Sequence, residues 1–264
     1  MNIRPPAVAG RFYPHSPEQL QGQLNQWLDT PVPSCRSSIR AIIVPHAGYI
    51  FSGEVAAQAY REIKMQAAHI RKVILIGPSH RYYFKGCAVP DAEYFATPLG
   101  KIKIDRQSIE ILREMNDIEV SDQVHAQEHS LEVQLPFLQS CLHDFTLLPL
   151  LTSNVSSGTV ATLLDQLWRD EDCLLVISSD LSHFHNYDQA CSLDNATCSL
   201  IESFEPVLTP EQACGSTGIN TLLLLAKQRG YQLTRKTLIN SGDTQAGDKE
   251  RVVGYVSYLV SEPQ

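Results

Sequence analysis

Three stretches of this 264-residue chain place metal-ligating or proton-moving side chains in the same local setting. His46 follows the apolar run at 39–44 in PHAGYIFSG, and His80 follows the run at 73–76 in GPSHR. Asp180 and His183 follow the run at 174–177 in SSDLSHFH. Each apolar run stops at small or turn-forming residues, and a polar cluster begins there. Neutral imidazole suits iron, zinc or copper, and two imidazoles with one carboxylate hold Fe(II) on one face with positions open for substrate and dioxygen. His46 and His80 are the candidate metal ligands, with Fe(II) the favoured ion and zinc or copper the alternatives. His183 is the candidate general acid/base because imidazole titrates near neutral pH. Asp180 would orient that ring or join the metal. Tyr49 and Ser79, neighbours of these residues, are expected to line the pocket. Gly48, Gly53 and Gly77 would let the backbone turn sharply or approach a ligand. His185 is a second-tier candidate, and His15, His69 and His143 are read as ordinary surface positions.

Two other segments carry ionisable clusters. In HAQEHSLEVQLPF, a helix would put His125 and His129 on one face and Glu128 and Glu132 on another. Formally this is H-x-x-E-H, the inverted zinc-peptidase pattern, with Glu202 as a downstream third ligand. The reading preferred here is that Glu128 and His129 border the pocket while Leu131, Leu135 and Phe137 face the core. The second segment, NSGDTQAGD at 240–248, precedes the last apolar run. It reads as a wall of the pocket, with Asp243 as the candidate third metal ligand and Asp248 as its alternative.

The elements that must position these residues are a set of strands at 39–44, 73–76, 147–151, 174–177 and 251–260. Helices are expected around 105–115, 129–141, 158–168, 189–203 and 209–229. A further helix starts at Ser16 and Pro17 and carries Leu20, Leu24, Trp27 and Leu28 at helical spacing. Short, almost wholly apolar strands alternating with amphipathic helices imply a sheet covered on both faces. The expected fold class is therefore α/β, a three-layer α/β/α single domain over 1–264 with a central mixed sheet. In such sheets ligands bind outside the carboxyl ends of strands, where distant clusters can meet. The stretch Asp29 to Ser38 is read as a loop.

Composition narrows the function class. The net charge of −8 argues against a nucleic-acid partner, which needs a basic face. The opening MNIRPPAVAGRFYP has no apolar core of a signal peptide, and no apolar run is long enough to cross a bilayer. Seven cysteines, at 35, 87, 141, 173, 191, 198 and 214, show no CxxC pair and read as reduced thiols of a cytoplasmic protein.

Seven blocks in order, RPPAVAGRFYP, PHAGYIFSG, GPSHR, EHSLEVQLPF, SSDLSHF, ACGSTGIN and NSGDTQAGDKERVVGYVSY, resemble the Memo family across residues 4–258. Bacterial and archaeal members are called AmmeMemoRadiSam system protein B. The resemblance implies an architecture like that of LigB-type class III extradiol dioxygenases, in which two histidines and a carboxylate hold Fe(II) and another histidine is the acid/base. By motif these fall on His46 and His80, with His183 at the acid/base position and Asp180 beside it. The animal Memo protein binds metal with a further cysteine from the loop before the final strand, where this chain has Asp243 and Thr244. The resemblance also implies radical-SAM and AMMECR-type protein partners. The function expected is a metal-dependent, dioxygenase-like oxidoreductase for a small unknown substrate. The alternative is a non-catalytic metal- or ligand-binding partner protein.

Overall fold

The computed structural model describes residues 2–31 and 37–263, so residues 32–36 of the expected 29–38 loop, Cys35 among them, lie outside the described residues. Its elements in chain order are β1 (Ile3–Arg4), α1 (Pro17–Leu28), β2 (Ile39–Val44), α2 (Tyr49–Met65), β3 (Lys72–Pro78), β4 (Cys87–Val89), β5 (Tyr94–Thr97), β6 (Gly100–Ile104), α3 (Arg106–Arg113), β7 (Ile118–Val120), α4 (Asp122–Ala126), α5 (Leu135–Cys141), β8 (Thr146–Thr152), α6 (Ser157–Leu167), β9 (Cys173–Ser178), β10 (His183–His185), α7 (Tyr187–Glu202), α8 (Ser216–Arg229), β11 (Gln232–Asn240) and β12 (Val252–Ser261).

The main sheet path runs β1-β5-β6-β8-β3-β9-β2-β12-β10, with β11 on β12 and with β4 joining β8 to β7. Strands β8, β3, β9 and β2 run parallel, and β12 is antiparallel to β2. Every residue of β2 and β9 is buried, Arg40 and Ser178 included, as expected of largely apolar strands covered on both faces. One helix group is α1, α2 and α5, with α2 against β2 and β12; another is α6 and α8, with α8 against β3 and β9. The fold is thus mixed α/β with a large central sheet flanked by helices.

Local signals account for several boundaries. Ser16 caps α1 by accepting the Gln19 N–H, Pro17 occupies the first turn, and Leu20, Leu24 and Leu28 are buried. Helix α8 stops at Gly230, which takes the left-handed conformation at φ 68° that glycine adopts without strain. Two expected helices are shorter than the pattern suggested. The 129–141 segment opens as a turn and a 3₁₀ stretch, and is α-helical only from Leu135. The 209–229 segment becomes helical at Ser216. No helix among the described residues is long and apolar enough to cross a membrane.

Candidate metal centre

Strand order explains how distant residues meet. β3, β9 and β2 are adjacent and parallel, so their carboxyl ends lie side by side. His46, His80 and Asp180 each stand two residues beyond one of these ends. His129 enters from the turn after α4. The ligand atoms of His46, His80 and His129 all lie within 4.8 Å of one another. Their ring centroids are 5.2 Å (46–80), 5.4 Å (46–129) and 4.7 Å (80–129) apart. Two nitrogens on one ion at 2.0–2.1 Å can be at most about 4.2 Å apart, so small rotations of the partly exposed His80 and His129 rings bring the set into range.

Hydrogen bonds decide which ring nitrogens face the centre. The Ser178 hydroxyl donates its single proton to Ser130 O at 2.5 Å and accepts from Gln134 Nε2 at 2.9 Å. His46 Nδ1, 3.0 Å from the same oxygen, must therefore carry a proton and donate, which leaves Nε2 with a free lone pair. Gln134 is held in turn by Pro45 O and by the Tyr60 hydroxyl.

Glu128 performs the same task for the other two rings. It is buried, and its carboxylate accepts from His80 N (2.6 Å), His80 Nδ1 (3.0 Å), His129 N (2.9 Å) and Ser130 N (3.0 Å), with His129 Nδ1 at 3.3 Å. Burial alone would raise its pKa, but the bonds from His80 and Ser130 override that and bring it down to about 2. An ionised carboxylate on Nδ1–H is the usual outer support of a metal-bound imidazole, because it fixes the tautomer and raises ligand basicity. Burial, reinforced by the charges of His80 and His129, holds the His46 pKa well below its ordinary value; burial also lowers that of His129. The residues therefore fit a metal ion: at least His46 and His129 are held towards the neutral form, and one ligand atom from each of the three rings lies within 4.8 Å of the others.

These shifts share one sign. Glu128 ionises near 4.5 in an unfolded chain and near 2 in the folded one, so its stabilisation is complete above pH 4.5 and is lost as the pH falls towards 2. It amounts to roughly 3 kcal/mol. His46 and His129 are also depressed, so a second loss begins below their ordinary 6.5. Thermal unfolding of chelator-treated protein from pH 7 to 3 is expected to show a midpoint that declines below 6.5 and steepens below 4.5. Glu128→Gln is expected to flatten the lower part.

Asp180 is buried beside His46. Its Oδ1 accepts the His46 N–H at 2.8 Å and its Oδ2 is 4.0 Å from His46 Nε2. Burial raises its pKa, opposed by the His46 hydrogen bond and by the charge of His183. His183 begins β10, which pairs with β12 through a bulge between His183 and His185. Phe184 between them has φ 68°, a costly conformation for a bulky residue, and its ring lies under the Arg251 guanidinium at 4.4 Å.

Other sequence candidates sit elsewhere. Asp243, expected as the third ligand, is outside the converging group. Its Oδ2 accepts the Asn240 N–H at 2.9 Å and its Oδ1 accepts the Tyr187 hydroxyl at 2.7 Å, so the carboxylate closes its own turn. Asp248 likewise accepts from Glu250 N and Arg251 N. Ser79 closes a turn onto Tyr82. Tyr49 is buried and donates to Val133 O, and it also borders a groove of about 580 Å³ with Trp27, Phe51 and Asp243. The zinc-peptidase arrangement is absent. α4 ends at Ala126, so His125 and His129 do not share a helix face; His125 Nε2 donates to Ala88 O, and Glu202 pairs with Tyr258 and Arg235.

Several supports carried no local signal. Arg4 is buried and ties the amino-terminal segment to the site, through Nη1 to Glu132 (2.7 Å), Nε to His125 O (2.7 Å) and Nη2 to Glu128 O (2.8 Å). Glu132 also accepts from Ala7 N, Val8 N and the Tyr13 hydroxyl. Phe12, from the same segment, packs on the His129 ring at 4.8 Å. Cys214, read from sequence as one more thiol, has its sulfur 3.2 Å from His46 Nε2.

A family model described as Memo-like protein matches residues 4–259. The chain belongs to the Memo family. Curated relatives named MEMO1 family protein match over nearly full length. The one from Aquifex aeolicus is 34% identical over 98% of this chain and 99% of its own. The one from Ignicoccus hospitalis is 36% identical over 97% and 98%. A solved structure, an uncharacterized Escherichia coli K12 protein, JW3007, matches with a TM-score of 0.53 at 13% identity, covering 83% of this chain and 99% of that one. That likeness concerns the fold alone. Within this Memo chain the converging histidines come from the PHAGY, GPSHR and EHSLEVQLPF blocks.

Proposed function

We propose that this Memo protein is a metal-dependent oxidoreductase of the extradiol-dioxygenase kind, acting on a small hydroxylated substrate at a centre held by His46, His80 and His129. The observation that carries the reading is the convergence of three imidazole ligand atoms within 4.8 Å, with Ser178 and Glu128 occupying Nδ1 positions. Fe(II) is the proposed ion, and when bound it supplies Lewis acidity and a route to dioxygen. Burial of His46 beneath the partly exposed His80 and His129 confines substrate to one side. His183 takes the proton of a substrate hydroxyl, and the carboxylate of Asp180 favours the resulting imidazolium. Resemblance to LigB-type enzymes supports the role of His183, as does its position at the rim of the same strand ends.

The test is metal analysis of untagged protein followed by oxygen uptake with catechol-type substrates. One ion per chain with substrate-dependent uptake is the expected result. His183→Ala is expected to keep the ion and lose roughly 10²–10⁴-fold in turnover. A stoichiometric ion without uptake on any such substrate would overturn catalysis. It would favour a metal-binding partner for radical-SAM or AMMECR-type proteins.

A further inference from the structure

The groove bordered by Tyr49 takes no part in the metal-site reading, yet its walls share a chemistry. It holds about 580 Å³ between α1, α2 and the 243–246 segment, a size common among small-molecule sites. Trp27 and Phe51 give it aromatic surface, Ile239 aliphatic surface, and Glu54 and Asp243 carboxylates. Among the described residues that line it, none is Lys, Arg or His.

The aromatic wall is held in place before any ligand arrives. A Cβ at 53 would come within 2.4 Å of Trp27 Cη2, so Gly53, expected to admit a ligand, instead admits the indole against α2. The indole also stacks on Phe137 with centroids 6.2 Å apart and meets the Tyr49 ring edge-on at 5.9 Å. The two carboxylates have no basic partner. Glu54 is exposed and makes no ion pair or hydrogen bond among the described residues, and Asp243 accepts only from the neutral Asn240 N–H and Tyr187 hydroxyl. By contrast, Glu110, Asp165 and Glu202 are each paired with an arginine. Gln23, on the same wall, has a buried Oε1 with no partner among the described residues, an acceptor left for a ligand's N–H or O–H. An anion finds little here, because Tyr49 N and Phe51 N at the start of α2 are spent on Phe12 O and Gly48 O.

We propose that this groove binds a small, free organic cation of the alkylammonium class, with its alkyl groups on Trp27 and Phe51 and its charge near Glu54 and Asp243. Such a cation meets both demands of the walls at once. Its methyl or methylene groups cover aromatic and aliphatic surface, and its charge is attracted by the indole ring, the strongest of the aromatic partners, and by two carboxylates. The binding needs no metal ion, so it stands or falls apart from the histidine centre.

Tryptophan fluorescence of the chelator-treated, untagged chain tests this, with choline as the probe and its uncharged isostere 3,3-dimethylbutan-1-ol as the comparison. The chain has two tryptophans, and Trp168 is fully buried, so Trp27 is the reporter. The expected result is a saturable response to choline that weakens as salt is added, with the isostere bound at least roughly fivefold more weakly. Trp27→Phe should lose the response. Glu54→Gln, a change at an exposed position, should bind choline about three- to fivefold more weakly. Equal affinity for choline and the isostere would make the groove merely apolar and overturn the proposal. So would an affinity unchanged in Glu54→Gln, or no saturable response in the wild type. The wild-type comparison of the two probes decides the matter even where Trp27→Phe misfolds.

Discussion

His46→Ala is expected to abolish stoichiometric metal binding, with affinity falling at least roughly 100-fold, while Asp243→Ala leaves it within about twofold. The contrast follows from where the two side chains are committed. His46 is buried, its Nδ1 proton is used by Ser178, and its ring groups with those of His80 and His129. The groups behind its ring cannot take its place, because the Ser178 hydroxyl, Gln134 amide and Tyr60 hydroxyl form one chain of hydrogen bonds. Asp243 spends its oxygens on Asn240 N and the Tyr187 hydroxyl. His80→Ala and His129→Ala should also weaken binding, since one carboxylate, Glu128, holds both rings. Calorimetric titration with a single divalent ion is the measurement, and unfolding curves in chelator show whether each variant still folds. Retention of the ion in His129→Ala together with its loss in Asp243→Ala would replace the proposed ligand set with two histidines and a carboxylate.

Arg4→Met should cost about 3–5 kcal/mol of unfolding free energy, read from urea midpoints at constant slope. Its salt bridge with Glu132 is among the most buried in the described chain, with side-chain exposures of 5% and 0%. Removing the guanidinium leaves a carboxylate in the interior with only neutral donors, those of Ala7, Val8 and Tyr13. It also frees the carbonyls of His125 and Glu128. The second release matters for function, since the backbone of Glu128 carries the carboxylate that orients two rings. A loss of stability with unchanged metal affinity would show that the Glu128 platform stands without its arginine.

The parts that could be read from sequence were those in which local pattern determines position. The runs at 39–44, apolar but for Arg40, and at 174–177 are long enough and plain enough to be buried strands, and they are. The polar residues after them share an end of the sheet because β3, β9 and β2 are neighbours, which places His46, His80 and Asp180 together. Strand β11 was missed because its Thr, Arg and Lys positions pair only with β12 and read as loop chemistry. The zinc-peptidase alternative needed a helix through 125–129, and it fails because spacing marks a face only where the backbone is helical, which it is not after Ala126. Asp243 shows that composition places a carboxylate near a site without stating where its oxygens point. Ser178, Gln134, Arg4 and Cys214 act through contacts across long sequence separations, and no local feature announces such contacts.

Three rings borne by separate loops, at positions 46, 80 and 129, come within reach of one ion only when β2 and β3 are paired through β9. A random coil holds them too far apart to compete, so an ion held by this group would bind the native state alone. Each tenfold excess of free ion over its dissociation constant then adds about 1.4 kcal/mol to the folded form. A chelator is then expected to act on this chain as a mild denaturant, with ion supply governing how often it opens to a protease.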